Sequence, residues 1–158
     1  VRVETVGLRN GFPRRYIYKV SMQEGQSHLY SPVLIRLGEI YLNRAEAYAE
    51  LGRDGEALAD LNVIRARAGI PPVAPGDITA QRDLKTWIDN ERRLEMAWEG
   101  FRKYDVFRKK KNLDRRYPGT HLAGSPVYPE VAWDAPYIVE YIPQSEMDAY
   151  PVPLTQNP

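Results

Sequence analysis

Two amphipathic helical patterns lie back to back in this chain, each closed by a glycine, and they constrain its fold more than any other feature. YLNRAEAYAELG, ending at Gly52, runs directly into RDGEALADLNVIRARAG, ending at Gly69. Wound at about 100° per residue, helix one, from about Pro32 to Leu51, gathers Leu34, Leu37, Ile40, Tyr41, Ala45, Ala47, Tyr48 and Leu51 on one arc. Arg36, Glu39, Asn43, Glu46 and Glu50 share the other. Gly52 ends this helix as a C-cap glycine. Asp54 is placed to cap helix two, whose stripe is Ala57, Leu58, Leu61, Ile64 and Ala68. Gly69 and the prolines after it stop that helix.

The spacing of Tyr41, Ala45, Tyr48, Gly52, Ala57 and Leu61 matches the offsets of a tetratricopeptide repeat. Ala45 and Ala57 are small where two helices cross closely, and larger residues fill the gaps beside them. A lone repeat cannot bury both of its faces. The rest of the chain, or a part preceding it, must cover the hairpin.

Arg44 sits at the centre of helix one's apolar arc, where such a repeat usually has leucine. Helix three, from near Ala80 to Gly100, has a matching oddity. Its arc carries Leu84, Trp87, Ile88, Leu94, Ala97, Trp98 and Phe101, with Glu91 near the middle. Opposite charges on two packing faces suggest each other as partners. Arg44 is therefore expected to pair with Glu91, or else with Glu95, and to fix helix three against helix one. Removing one member of a buried pair costs roughly 3–5 kcal/mol. The alternative use of Glu91 and Glu95 as an acid/base pair is disfavoured by Arg92 and Arg93 beside them and by their position on the packing face.

Residues 1–30 are turn-rich, with a short strand expected where Tyr16, Tyr18 and Val20 alternate with Arg15, Ile17 and Lys19. A loop fills 70–80. After helix three comes RKYDVFRKKK, a short amphipathic helix with Tyr104, Val106 and Phe107 as its apolar members. From Asn112 the chain is irregular and proline-rich, with a strand expected over Tyr137–Ile142. Its aromatics argue for ordered loops rather than disorder. The fold class is mainly α: tetratricopeptide-like helical hairpins with long ordered loops and a few short strands. One domain spans 1–158, with the hairpin at about 32–69, the third and fourth helices at about 80–111 and the loop-rich tail at 112–158.

Lys and Arg number 22 against 21 Asp and Glu, so no long-range field draws the chain to nucleic acid or anionic lipid. The basic run Arg108–Lys111 is too short for a nucleic-acid surface and reads as a solvated helix end, where cations are favoured. With no cysteine there is no disulfide, thiolate nucleophile or zinc–thiolate site. His28 and His121 are far apart and lack acidic ligand spacing, so no metal site is expected. No apolar run approaches the ~18 residues of a membrane span. The opening VRVETVGLRNGF carries neither initiator Met nor signal peptide and reads as part of a longer protein.

Four blocks carry a family resemblance: IRLGEIYLNRAEAYAELG, EALADLNVIRARAG, IDNERRLEMAWEGFRKYDVFR and IPQSEMDAYPVPLTQNP. In this order they strongly resemble the C-terminal domain of the SusD/RagB family. Departures are Gly38 for the usual alanine, Met96 and Val106 for leucine, and Trp98 for phenylalanine; none touches a charge. The resemblance implies tetratricopeptide-like hairpins and a surface lipoprotein of the outer membrane of Bacteroidota, tethered by an N-terminal lipidated cysteine. It implies binding of oligo- or polysaccharides, less often peptides, beside a SusC-like TonB-dependent transporter that imports them. It implies no catalysis and no cofactor.

Glycan binding needs flat aromatic faces and planar polar groups. The tail supplies Tyr117, Tyr128, Trp133, Asp134 and Tyr137 as candidates, and VYPEVAWDAPY sets aromatics among stiffening prolines. The structural alternative makes Trp133 a core plug and the tyrosines covers for loop backbone. The family's stacking aromatics lie mostly on loops upstream of the helix beginning near residue 32, so no binding residue is carried over from it. Two rivals stand beside this reading. One is a tetratricopeptide-type scaffold that binds protein and has no sugar site here. The other is a hydrolase, which would need a cleft with facing carboxylates.

Overall fold

The computed structural model describes residues 3–9, 12–17, 19, 23–26, 28–31, 33–115 and 129–157. Tyr18, Val20, Tyr117, His121 and Tyr128 lie outside the described residues. The chain divides into two compact units, Val1–Phe101 and Arg102–Pro158. The boundary falls between the third and fourth helices.

The first unit opens with an antiparallel strand pair, β1 (Val3–Arg9) and β2 (Phe12–Ile17), irregular between Thr5 and Leu8. Three helices follow: α1 (Leu37–Glu50), α2 (Asp54–Arg67) and α3 (Leu84–Glu95). α1 and α2 form the expected hairpin. Ala45 and Ala57 are wholly buried, as are Leu42 and Leu61, and Ile64 and Ile88 complete the centre. Tyr41, Tyr48, Leu58 and Trp87 pack around that centre. The hairpin turn is a Schellman motif, with Gly52 at φ +70° and the Arg53 N–H reaching the Tyr48 carbonyl at 2.9 Å. α2 ends the same way: Gly69 is at φ +70° and Ile70 N–H reaches the Arg65 carbonyl at 3.1 Å.

The loop between α2 and α3 is held by a side-chain amide. Asn62 donates to the Val73 carbonyl at 3.0 Å and accepts from the Val73 N–H at 2.8 Å, and Val73 is buried. Asp83 then caps α3 by accepting from the Thr86 N–H at 2.8 Å.

Several expectations need correction. Helix one begins at Leu37 rather than near Pro32, and Leu34 is 86% exposed. α1 buries Gly38, Leu42, Ala45 and Ala49, not the arc centred on Arg44. At about 100° per residue, Arg44 lies about 130° from the centre of that buried face. Its side chain is 55% exposed and makes a bidentate pair with buried Asp60 on α2, Nε to Oδ2 at 2.7 Å and Nη2 to Oδ1 at 2.8 Å. Glu91 is buried as expected, but its partner is Arg65 on α2, Nη1 to Oε2 at 2.8 Å. Glu95 pairs with Arg36 and Arg67. The expected Arg44–Glu91 or Arg44–Glu95 pair is therefore replaced. α2 lies beside both α1 and α3, and its Asp60 and Arg65 take Arg44 and Glu91 respectively.

Arg53, not Asp54, occupies the N-cap of α2, and no side chain caps it. α3 ends at Glu95, so Trp98 lies beyond it and is exposed, and Leu94 in its last turn is exposed rather than packed. In the second unit, Tyr137–Ile142 is not a strand. Pro136–Ile138 forms a 3₁₀ turn instead.

Candidate functional site

The second unit is built around α4 (Arg102–Arg108), a minimal antiparallel pair of β3 (Leu113–Asp114) and β4 (Glu130–Val131), and α5 (Gln144–Ala149). The register pairs Leu113 with Val131 and Asp114 with Glu130. Continued one step outward, it sets Asn112 opposite Ala132 and brings the end of α4 alongside the turn after β4. A side chain fixes this meeting: Asn112 donates to Glu130 Oε1 at 2.7 Å and accepts from the Trp133 N–H at 3.2 Å.

Trp133 and Asp134 are the central residues of a turn closed by the Ala135 N–H on the Ala132 carbonyl at 3.2 Å. Pro136 presets the backbone of the 3₁₀ turn that follows and carries Tyr137. Trp133 is 38% exposed and Tyr137 56%, and Asp134 is exposed between them in sequence. Trp133 is thus a half-buried turn residue rather than a core plug. Lys110 Nζ stands 5.6 Å from the centre of the Trp133 ring, within cation–π range.

Tyr141 is also exposed, on a segment held by the closing motif of the chain. Gln156 accepts from the Ile142 N–H at 2.7 Å and donates to the Ile142 carbonyl at 3.0 Å. Asn157 donates to the Glu140 carbonyl at 2.7 Å. The irregular tail thereby gains backbone pairing without a strand.

The structure thus brings Trp133, Asp134 and Tyr137 onto consecutive turns, while Tyr117 and Tyr128 lie outside the described residues. Lys110 and Asn112 were missed. Their signal was the run RKKKN, whose placement beside Trp133 depends on pairing between two-residue strands. Chemically, the arrangement offers an indole face, a carboxylate acceptor and an ammonium donor.

Glu91 and Glu95 are each held in ion pairs with arginine. Burial raises the Glu95 pKa, but hydrogen bonds and charge from Arg67 and Arg36 outweigh it and hold the carboxyl below its ordinary value. Glu99 is lowered in the same way, burial being outweighed by Arg36 and Lys19. These carboxylates are committed to arginine and lysine as ion-pair partners. Among the described residues, no group of three or more His, Cys, Asp or Glu could hold a metal ion, and no helix is long and apolar enough to cross a membrane.

The α1–α2 hairpin, closed over paired alanines, defines a tetratricopeptide-type helical protein. The chain belongs to the SusD family, whose sequence profile matches residues 9–158. It is 34% identical over 88 residues to a SusD-like protein of Formosa agariphila, a match covering 52% of this chain and 18% of that protein. It resembles the crystal structure of a SusD superfamily protein from Bacteroides vulgatus, with TM-score 0.73 and 30% identity over 99% of this chain and 34% of that one. A SusD-like carbohydrate binding protein from Bacteroides vulgatus is 37% identical, with TM-score 0.50, over 57% of this chain and 18% of that one. The chain therefore spans about a fifth to a third of the length of these relatives.

Proposed function

We propose that this chain belongs to a non-catalytic, glycan-binding protein of the bacterial outer surface. It binds oligo- or polysaccharide and passes it to a SusC-like TonB-dependent transporter. The whole protein is held at the outer membrane by an N-terminal lipid anchor, as a lipoprotein of the Bacteroidota type. The observation carrying this reading is membership of a family that includes a carbohydrate-binding relative, together with an exposed indole on a braced turn. Trp133 stacks on a sugar ring, while Asp134 and Tyr137 meet its hydroxyls. Affinity electrophoresis through a panel of polysaccharides tests this. Retardation by a glycan, lost in Trp133→Ala, supports a sugar site in the second unit. Unchanged mobility of both proteins in every gel removes it.

A second reading, a protein-binding scaffold with no sugar site here, is favoured by one observation. Val33, Leu34, Ile35 and Leu37 are all exposed in the segment that enters α1. Such a contiguous apolar stretch suits a protein contact. Under that reading Trp133→Ala has no effect on any glycan.

A further inference from the structure

The end of α4 repeats the hydrogen bonding of the two glycine-closed helices. Lys111 N–H reaches the Val106 carbonyl at 3.1 Å, and Lys110 N–H reaches the Phe107 carbonyl at 2.9 Å. The left-handed position is filled by Lys110, at φ +52°. Glycine fits that conformation without strain and lysine does not. A helix stop alone does not ask for this side chain. It carries an ammonium to 5.6 Å from the Trp133 ring, on the segment that Asn112 ties to the Trp133 backbone.

Resting on the glycan-binding reading above, we infer that the second unit selects acidic sugars, uronates or sulfated residues, through Lys110. A sugar stacked on Trp133 presents its ring substituents at the ring edge. Lys110 lies over the ring in this structure; as a sugar takes that face, its flexible side chain swings to the ring edge, where an equatorial carboxylate or sulfate gains a charge-assisted hydrogen bond. Asp134, one residue from Trp133, carries the opposite sign and accepts hydroxyl donors. Glu130, the nearby carboxylate of β4, is engaged by the Asn112 amide at 2.7 Å. Elsewhere in the basic run Arg108 is paired with Asp105 at 3.2 Å, while Lys111, next to Lys110 in sequence, adds one further positive charge.

The test is affinity electrophoresis with matched polymers. One arm compares uronate polysaccharides with their carboxyl-reduced forms, and the other compares sulfated polysaccharides with their desulfated forms. Wild type, Lys110→Gln and Trp133→Ala are run in each. The expected result is an acidic polymer bound about three- to fivefold more tightly than its neutral match, the size of one exposed ion pair. That preference disappears in Lys110→Gln and shrinks in about 0.5 M NaCl, while Trp133→Ala loses both polymers. The arm in which it occurs names the acid. Equal binding of acidic and neutral polymers, or a preference untouched by Lys110→Gln, overturns the role of Lys110 and leaves the glycan reading standing, provided Trp133→Ala still abolishes binding. Binding indifferent to Trp133→Ala, or none at all, overturns both.

Discussion

Helices α1 and α2 in the first unit and α4 in the second close with the same hydrogen-bonded turn, but different residues fill the left-handed position. In the first unit it is Gly52 and Gly69, both at φ +70°, and in the second it is Lys110 at φ +52°. The glycines serve a densely packed hairpin whose only demand on the turn is geometry. Lys110 accepts a strained backbone, on the order of 1–2 kcal/mol, and keeps a charged side chain against an indole. Strain of this kind persists where the surroundings enforce it. Trp98, at φ +63° after α3, shows such enforcement in the first unit. Lys19 donates to the carbonyls of Glu95 and Ala97, and Arg36 grips Glu95 and Glu99, so the residues on both sides of Trp98 are clamped.

The contrast can be broken by substitution. Glu91→Ala leaves the partly buried Arg65 without its carboxylate but still bonded to the Pro71 carbonyl, and a loss of about 1–3 kcal/mol is expected in urea unfolding. Glycan retardation by the second unit is expected to survive at temperatures below the new transition. Gly52→Ala places a Cβ on a left-handed backbone, and a loss of about 1–2 kcal/mol should appear as a lower thermal midpoint. Lys110→Gly should act in the opposite direction. It relieves the strained position and is expected to raise stability by about 1 kcal/mol while abolishing the preference for acidic polymers. A Lys110→Gly variant less stable than wild type would make the lysine a structural residue.

The smallest effect is a pH dependence. Glu95 and Glu99 have folded pKa values below their ordinary value of 4.5. Their stabilising contribution is complete above that value and is lost as pH falls through the lower folded values. Urea midpoints should therefore drop as pH falls below about 4.5, and less steeply in Glu95→Gln/Glu99→Gln.

The hairpin was legible because it is local. Ala45, Ala57, Leu61 and the two glycines follow from helical spacing, and each lies where that spacing put it. The orientation of α1 was not legible. Leu34, Leu37 and Ile40 are apolar yet exposed, and counting them as core turned the apolar arc toward Arg44. The burial of Glu91 was readable from its neighbours, whereas its choice of Arg65 depended on which helix came nearest. In the candidate site, Trp133 stood out by type alone. Lys110 did not, because strands of two residues leave no periodicity by which to read their register.

Asn62 and Gln156 each present a side-chain amide donor and acceptor to the N–H and C=O of a single residue, Val73 and Ile142 respectively. Each stands in for a neighbouring strand and closes a loop in a chain that has no sulfur bridge to do so. Such a latch depends on a single nitrogen atom. Deamidation of either residue would replace its donor with a negative oxygen facing a backbone carbonyl, turning an attraction into a repulsion. Losing either amide nitrogen would therefore loosen the loop it holds while leaving the backbone hydrogen bonds of the helices in place.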